Sequence, residues 1–275
     1  MGGPHLKNNS DMSPNCAPRL TIIIPTFNSI ELLPTCMDSI QRVLGRSLGN
    51  EVCVLIQDGG STDGTMAYAQ NLNTKGVKIV SEQDHGVYDA MNKAIKNTDT
   101  DWVYFLGSDD RLLPDFSAMP GQLIDTGCIY YANVRYASSG KRYDGPFSLF
   151  KLAFRNICHQ SMFIPSQILK KEPYSLDYPI KSDWAHNIRL FSRLPFQYVD
   201  LDVALYNDSG GLSSTYEDVQ FERDKATLFH ESHGYWLKLL CFLVPIATRV
   251  FHLASRRNKK KPVEFGNTSK RYIRK

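Results

Sequence analysis

Residues 51–65 read Glu-Val-Cys-Val-Leu-Ile-Gln-Asp-Gly-Gly-Ser-Thr-Asp-Gly-Thr. The apolar run ending at Ile56 is too short for a helix and suits a strand buried on both faces. A turn of Gly, Ser, Thr and Asp follows, and a helix begins near Asp63 with Thr62 or Asp63 as its N-cap. A strand, a tight turn and a helix make half of a βαβ unit. The segment matches neither G-x-x-x-x-G-K-[ST] nor G-x-G-x-x-G, which argues against an ATPase phosphate loop and a dehydrogenase fingerprint.

The same alternation continues on both sides of this segment. Leu20 to Pro25 reads as a strand and Glu31 to Leu44 has helical spacing. Val77 to Val80 is a short third strand. Val87 to Ile95 is helical, with Val87, Met91, Ala94 and Ile95 on one face, and Trp102 to Leu106 is a fourth strand. This order predicts an α/β, Rossmann-like layer with a mostly parallel central sheet and flanking helices. Ligands collect at the carboxyl ends of such strands. The second half is less regular. Cys128 to Tyr136 and Lys141 to Tyr143 are expected to pair about a Ser-Ser-Gly turn, Ser161 to Ile164 and Phe196 to Leu205 read as strands, and Asp183 to Leu194 as a helix.

A chain of 275 residues with 42% hydrophobic content supports one domain with its own core and an appendage. The six cysteines contain no C-x-x-C pair, and several lie in apolar runs, so a reducing compartment is expected. Residues 1–18 are polar and lack the apolar core of a secretory signal; they read as a flexible leader. From Arg249 to Lys275 ten basic residues face the single acid Glu264, which leaves the rest of the chain net acidic. Before this run, Tyr235 to Ala254 is nearly long enough to span a bilayer but is interrupted by Lys238, Pro245, Arg249 and His252. An amphipathic helical tail on an anionic membrane surface fits better, at its cytoplasmic face and with no nucleic-acid partner. The expected division is a leader (1–18), a main folded domain (19–232, split at 115 into a regular and a less regular half) and a membrane-associating tail (233–275).

Three groups of residues at predicted strand ends carry chemistry. Asp109-Asp110 follows Phe105-Leu106-Gly107-Ser108. Adjacent carboxylates there suit a hard divalent cation shared with phosphate oxygens, or simply a cap for the next turn. Asp58 in the Gly-rich turn can accept a hydrogen bond from a base or ribose. Asp84 precedes a helix that presents Tyr88 and Asn92 on one face, with Asp89 and Lys93 as a surface pair.

Four ordered motifs then resemble family 2 glycosyltransferases of the GT-A fold. They are Pro25-Thr26-Phe27-Asn28, Asp58 to Thr65, Asp84-His85-Gly86-Val87-Tyr88-Asp89-Ala90-Met91-Asn92-Lys93 and Gly107-Ser108-Asp109-Asp110. Cys158-His159-Gln160-Ser161, Ser182-Asp183-Trp184 and Gly210-Gly211-Leu212-Ser213 are similar to acceptor-side motifs of bacterial polysaccharide members. The resemblance implies an inverting, metal-dependent transfer from a nucleotide-diphosphate sugar to a hydroxyl of a saccharide or lipid-linked acceptor. It implies that Pro25, Thr26, Asn28, Asp58, Asp84, Gly86, Asn92 and Asp109 bind the nucleotide-sugar, with Asp58 at the base. Asp110, aided by Asp109, would hold Mn²⁺ or Mg²⁺. Asp183 would be the catalytic base, and His159 and Gln160 would face the acceptor or the diphosphate. The competing readings are a non-catalytic nucleotide-sugar-binding protein and a nucleotidyltransferase. The latter needs a Gly-rich basic loop after the first strand, which Thr26 to Ile30 does not offer.

Overall fold

The computed structural model describes residues 18–143, 145–210 and 216–233 and the backbone of 261–262. Most of the expected leader and tail lies outside the described residues. Among those described, no helix is long and apolar enough to cross a membrane.

The first half forms as its pattern predicts. β1 (Leu20–Thr26), α1 (Leu33–Leu44), β2 (Val52–Asp58), α2 (Thr65–Asn71), β3 (Val77–Ser81), α3 (Val87–Lys96) and β4 (Trp102–Phe105) follow in order. β1 pairs with β2 and β4, and β2 with β3, all parallel. The apolar runs are continuous because both faces of these strands are covered. Ile22, Ile24, Val54 and Ile56 pack with Met37 and Ile40 of α1. Ile23, Leu55, Val103 and Phe105 pack on the other face with Met91, Ala94 and Ile95 of α3.

The second half, read as less regular, is mixed in direction. It comprises β5 (Arg111–Leu112), α4 (Met119–Gln122), β6 (Ile129–Tyr136), α5 (Leu149–Phe154), β7 (Met162–Pro165), α6 (Ser166–Lys171), α7 (Ser182–Phe191), β8 (Phe196–Tyr206), β9 (Tyr216–Glu217) and α8 (Val219–His233). The eight-stranded sheet runs β3-β2-β1-β4-β7-β6-β8-β5. β7 is antiparallel to both β4 and β6, and β5 to β8, whereas β6 and β8 are parallel. β7 reverses because it starts at the carboxyl end of β4, out of the His159–Ser161 turn, and not through a crossover helix from the far edge. The expected pairing about the Ser-Ser-Gly turn is an Arg135–Arg142 bridge flanked by two backbone hydrogen bonds.

The mixed half is cemented by aromatics. Tyr104 stacks on Phe163 at 4.8 Å and meets Phe116 edge-on at 4.9 Å. α7 turns Trp184, Ala185, His186 and Ile188 inward. His186 lies 3.0 Å from the Glu172 carbonyl oxygen. Burial lowers its pKa from 6.5 to about 4, so the folded protein holds a neutral ring where the unfolded chain takes up a proton. The native stability this confers is full above pH 6.5 and is lost as the pH falls toward 4. Melting profiles of wild type and His186→Gln should therefore diverge over that window, with the wild type losing more. Parallel pH profiles would contradict it.

Candidate active site

A cleft of about 510 Å³ opens at the carboxyl ends of β1 and β4. Pro25, Thr26 and Asn28 line it, as expected. Asn28 has φ +46°, the single positive value at a non-glycine among the described residues. Its carboxamide explains the tolerance of that conformation, because Oδ1 accepts a hydrogen bond from Thr62 N at 2.9 Å. Its own N–H donates to Ser61 Oγ at 2.8 Å. The loops after β1 and β2 are thereby locked together.

Asp58, expected at the base, is fully buried and is not among the residues that line the cleft. Its carboxylate accepts from Gly60 N at 3.0 Å, from Ser61 N and Oγ, and from Ser81 Oγ at 2.7 Å. Those donors tie the loop after β2 together around Asp58. Asp84 occupies the position beside it. A Cβ placed on Gly59 would sit 2.1 Å from Asp84 Oδ2, so glycine is what lets the two loops close up. Asp84 lines the cleft and accepts from Gly86 N at 2.9 Å, which shapes the entry to α3 through Gly86 at φ +117°.

The two acids after β4 are placed differently. Asp109 lines the cleft, while Asp110 is 1% exposed beneath it. Asp110 accepts from Gln160 Nε2 at 2.7 Å, Asn207 N at 2.8 Å and Gly107 N at 3.1 Å. Burial and the adjacent Asp109 charge push its pKa up to about 6. Asp109 receives Asn207 Nδ2 at 3.2 Å. Asp110, expected to be the leading cation ligand, is thus the buried anchor, and Asp109 is the acid that faces the cleft.

Asp183 lines the same cleft from the first turn of α7. Tyr88 Oη donates to its Oδ1 at 2.7 Å and Asn156 Nδ2 to its Oδ2 at 2.7 Å. His159 Nδ1 stands 3.7 Å from Oδ2. One short turn therefore touches both acidic centres, His159 beside Asp183 and Gln160 on Asp110. Gln160 is held from its other side by Cys158 Sγ at 2.9 Å.

Asn92 is another residue expected to bind the nucleotide-sugar. Its carboxamide brackets the backbone of Tyr174, donating to the carbonyl at 2.8 Å and accepting from the N–H at 2.9 Å, and it does not line the cleft. It braces Tyr174 against the Tyr88 ring, 5.2 Å away. Asp89 and Lys93 do form the expected surface pair, at 3.2 Å. Sequence reasoning missed Asn156 and Asn207, single amides in irregular segments that carry no motif. Tyr88 stood inside a quoted motif, and its one-turn spacing from Asn92 was the available signal.

The residues fit a divalent cation. Asp109 supplies hard oxygen at the cleft beside a second carboxylate. The two lysine or arginine side chains among the described lining residues are turned to protein partners. Arg155 donates to Tyr136 Oη and lies 4.0 Å over the Tyr143 ring; Lys181 pairs with Glu222. Among the described residues no three His, Cys, Asp or Glu side chains form a ready-made cage. A cation here would be held by one or two carboxylates together with the phosphates of a bound donor.

The mixed sheet, with acids at its parallel strand ends, has a GT-A-like fold. The family model for glycosyl transferase family 2 matches residues 21–195, and the chain belongs to that family and is a glycosyltransferase. It is 40% identical over 218 residues to the PGL/p-HBAD biosynthesis glycosyltransferase of Mycobacterium bovis (strain BCG / Pasteur 1173P2), covering 74% of this chain and 83% of the relative. Its fold is similar to that of S. aureus TarS 1-349 in complex with UDP-GlcNAc, with TM-score 0.61, 16% identity and 78% of this chain on 67% of that one. It spans 39% of a longer TarS chain. The mannosyltransferase PcManGT from Pyrobaculum calidifontis in complex with GDP-Man and Mn2+ gives TM-score 0.53 at 16% identity, over 90% of this chain and 67% of that one.

The contact between Gly59 and Asp84 is directly testable. Gly59→Ala should cost about 1–3 kcal/mol in urea denaturation, from overpacking. The cost should shrink in an Asp84→Ala background, because the clashing oxygen is gone. Equal costs in both backgrounds would remove the argument.

Proposed function

We propose that this glycosyltransferase is inverting and cation-dependent, and that it moves a sugar from a nucleotide-diphosphate donor to a hydroxyl of a saccharide or lipid-linked acceptor. The observation that carries the reading is the convergence of Asp109 and Asp183 on one cleft, tied through the consecutive residues His159 and Gln160. The nucleotide-sugars bound by TarS and PcManGT support the donor class, and the Mn2+ of PcManGT supports the cation.

Each residue then has a task. Pro25, Thr26, Asn28, Asp84 and Gly86 receive the nucleotide-sugar, and Asp58 shapes their floor. Asp109, with Asp110 beneath it, would hold Mn²⁺ or Mg²⁺; the bound cation neutralises charge on the departing diphosphate. Asp183 takes the proton of the acceptor hydroxyl as that oxygen attacks the anomeric carbon. Tyr88 and Asn156 aim the carboxylate, and His159 lies beside the proton's destination. One base opposite one leaving group favours a single displacement, with inversion. A non-catalytic nucleotide-sugar-binding protein would have no use for a carboxylate so carefully oriented.

Asp183→Asn should lower transfer by about 10²–10⁴-fold, the usual worth of a general base. It should leave the thermal stabilisation by UDP or GDP with Mn²⁺ in place. Tyr88→Phe removes one aiming hydrogen bond and should fall between the variant and the wild type. An unchanged rate in Asp183→Asn would sink the assignment.

The basic, interrupted apolar tail supports peripheral attachment at the cytoplasmic face of a membrane. Removing residues 235–275 should move the protein from the vesicle-bound to the free fraction in flotation on anionic vesicles. A truncated protein that still floats would refute the anchor.

A further inference from the structure

Of the five exposed large apolar side chains among the described residues, two form a ring pair at the rim of the cleft, while Ile124 and Leu176 stand away from it. Phe154 is 41% exposed and lines the cleft; Phe150 is 58% exposed and its ring centre lies 5.0 Å from that of Phe154. Leu32, 45% exposed, lines the cleft as well. The local structure of α5 dictates the pairing. Ser148 Oγ accepts from Lys151 N at 3.2 Å and starts the helix. Leu152 and Ala153 then face the core, so Phe150 and Phe154, four residues apart, share an outward face. Two neighbouring phenyl rings kept in water are unfavourable unless something covers them.

Their place says what that something is. Two residues beyond Phe154, Asn156 donates to Asp183. A hydroxyl that reaches Asp183 brings with it whatever it is attached to, and that remainder must leave the cleft over a wall. α5 is part of that wall. The phenyl faces bury apolar area but offer no hydrogen bond to a sugar hydroxyl, which favours an alkyl or aryl group over a hydroxyl-covered ring.

We propose that Phe150 and Phe154 form an aglycone platform, on which the apolar alkyl or aryl group of the glycosyl acceptor lies while its hydroxyl meets Asp183. The proposal rests on the glycosyl-transfer reading of the cleft and narrows the acceptor to one with an apolar aglycone next to the reacting sugar.

The test compares methyl, phenyl and n-octyl β-D-glucopyranoside binding by calorimetry, with the octyl compound below its micelle threshold and with UDP and Mn²⁺ present. In the wild type the phenyl or octyl glycoside should bind roughly tenfold or more tightly than the methyl glycoside, as expected for burying part of a phenyl face. A phenyl preference marks an aryl aglycone and an octyl preference an alkyl one. The Phe150→Ser/Phe154→Ser protein should lose the advantage. Leu176→Ser, at an exposed leucine outside the cleft lining, should keep it. Should the serine pair fail to fold, Phe150→Gln/Phe154→Gln retains bulk without the phenyl faces and replaces it. Equal binding of all three glycosides overturns the platform. So does an advantage that survives in the double variant, including one that survives while self-association or vesicle binding is lost, because the patch would then belong to a second copy or a membrane. Absence of stabilisation of the wild type by UDP and GDP counts against the transferase reading instead, and is read separately.

Discussion

The hydrogen bond from Gln160 to buried Asp110 is the joint on which the rest of the site depends. Asp110 belongs to the turn after β4, the last strand of the parallel block. Gln160 belongs to the turn that starts β7, the first antiparallel neighbour, and Asn207, the third partner, follows β8. One carboxylate thus gathers three strand ends at a single point. Hydrogen bonds to a charged group are worth about 1.5–3 kcal/mol each, which offsets part of the cost of burying the charge. Burial and the adjacent Asp109 charge still hold the Asp110 carboxyl above the usual range, at about 6.

That joint has a geometric consequence for both acids that face the cleft. With Asp110 turned down into Gln160, Asp109 is the carboxylate left at the surface. With Gln160 fixed, its neighbour His159 is set beside Asp183. Asp183 is steadied independently from α3 by Tyr88 and from the chain after α5 by Asn156. The proposed base and the proposed cation ligand therefore sit on different halves of the sheet but share one rigid turn.

The parallel half was legible in the sequence because its strands are buried on both faces, which leaves continuous apolar runs such as Leu20 to Ile24 between helices with clear spacing. The reversal of β7 was not legible. Met162 to Pro165 is four apolar residues, and direction depends on where the preceding turn leaves the chain. The acids were found, but their orientations were not. Asp58 and Asp110 carry the residue type expected of a ligand-binding position, yet both spend their oxygens on backbone N–H groups and neighbouring side chains. Asn92 does the same through Tyr174. Whether a polar side chain faces a ligand or its own loop is settled by tertiary contacts, and a motif reports only the residue type. The same reason hides Asn156 and Asn207.

The central claim, a single displacement with the proposed base across from the leaving diphosphate, is tested most directly by proton NMR of the sugar released when the protein hydrolyses its nucleotide-sugar donor. This readout requires no knowledge of the natural acceptor. The account predicts that the first-formed sugar carries the anomeric configuration opposite to that of the donor, before mutarotation mixes the two. A first-formed product with the donor's own configuration would contradict it.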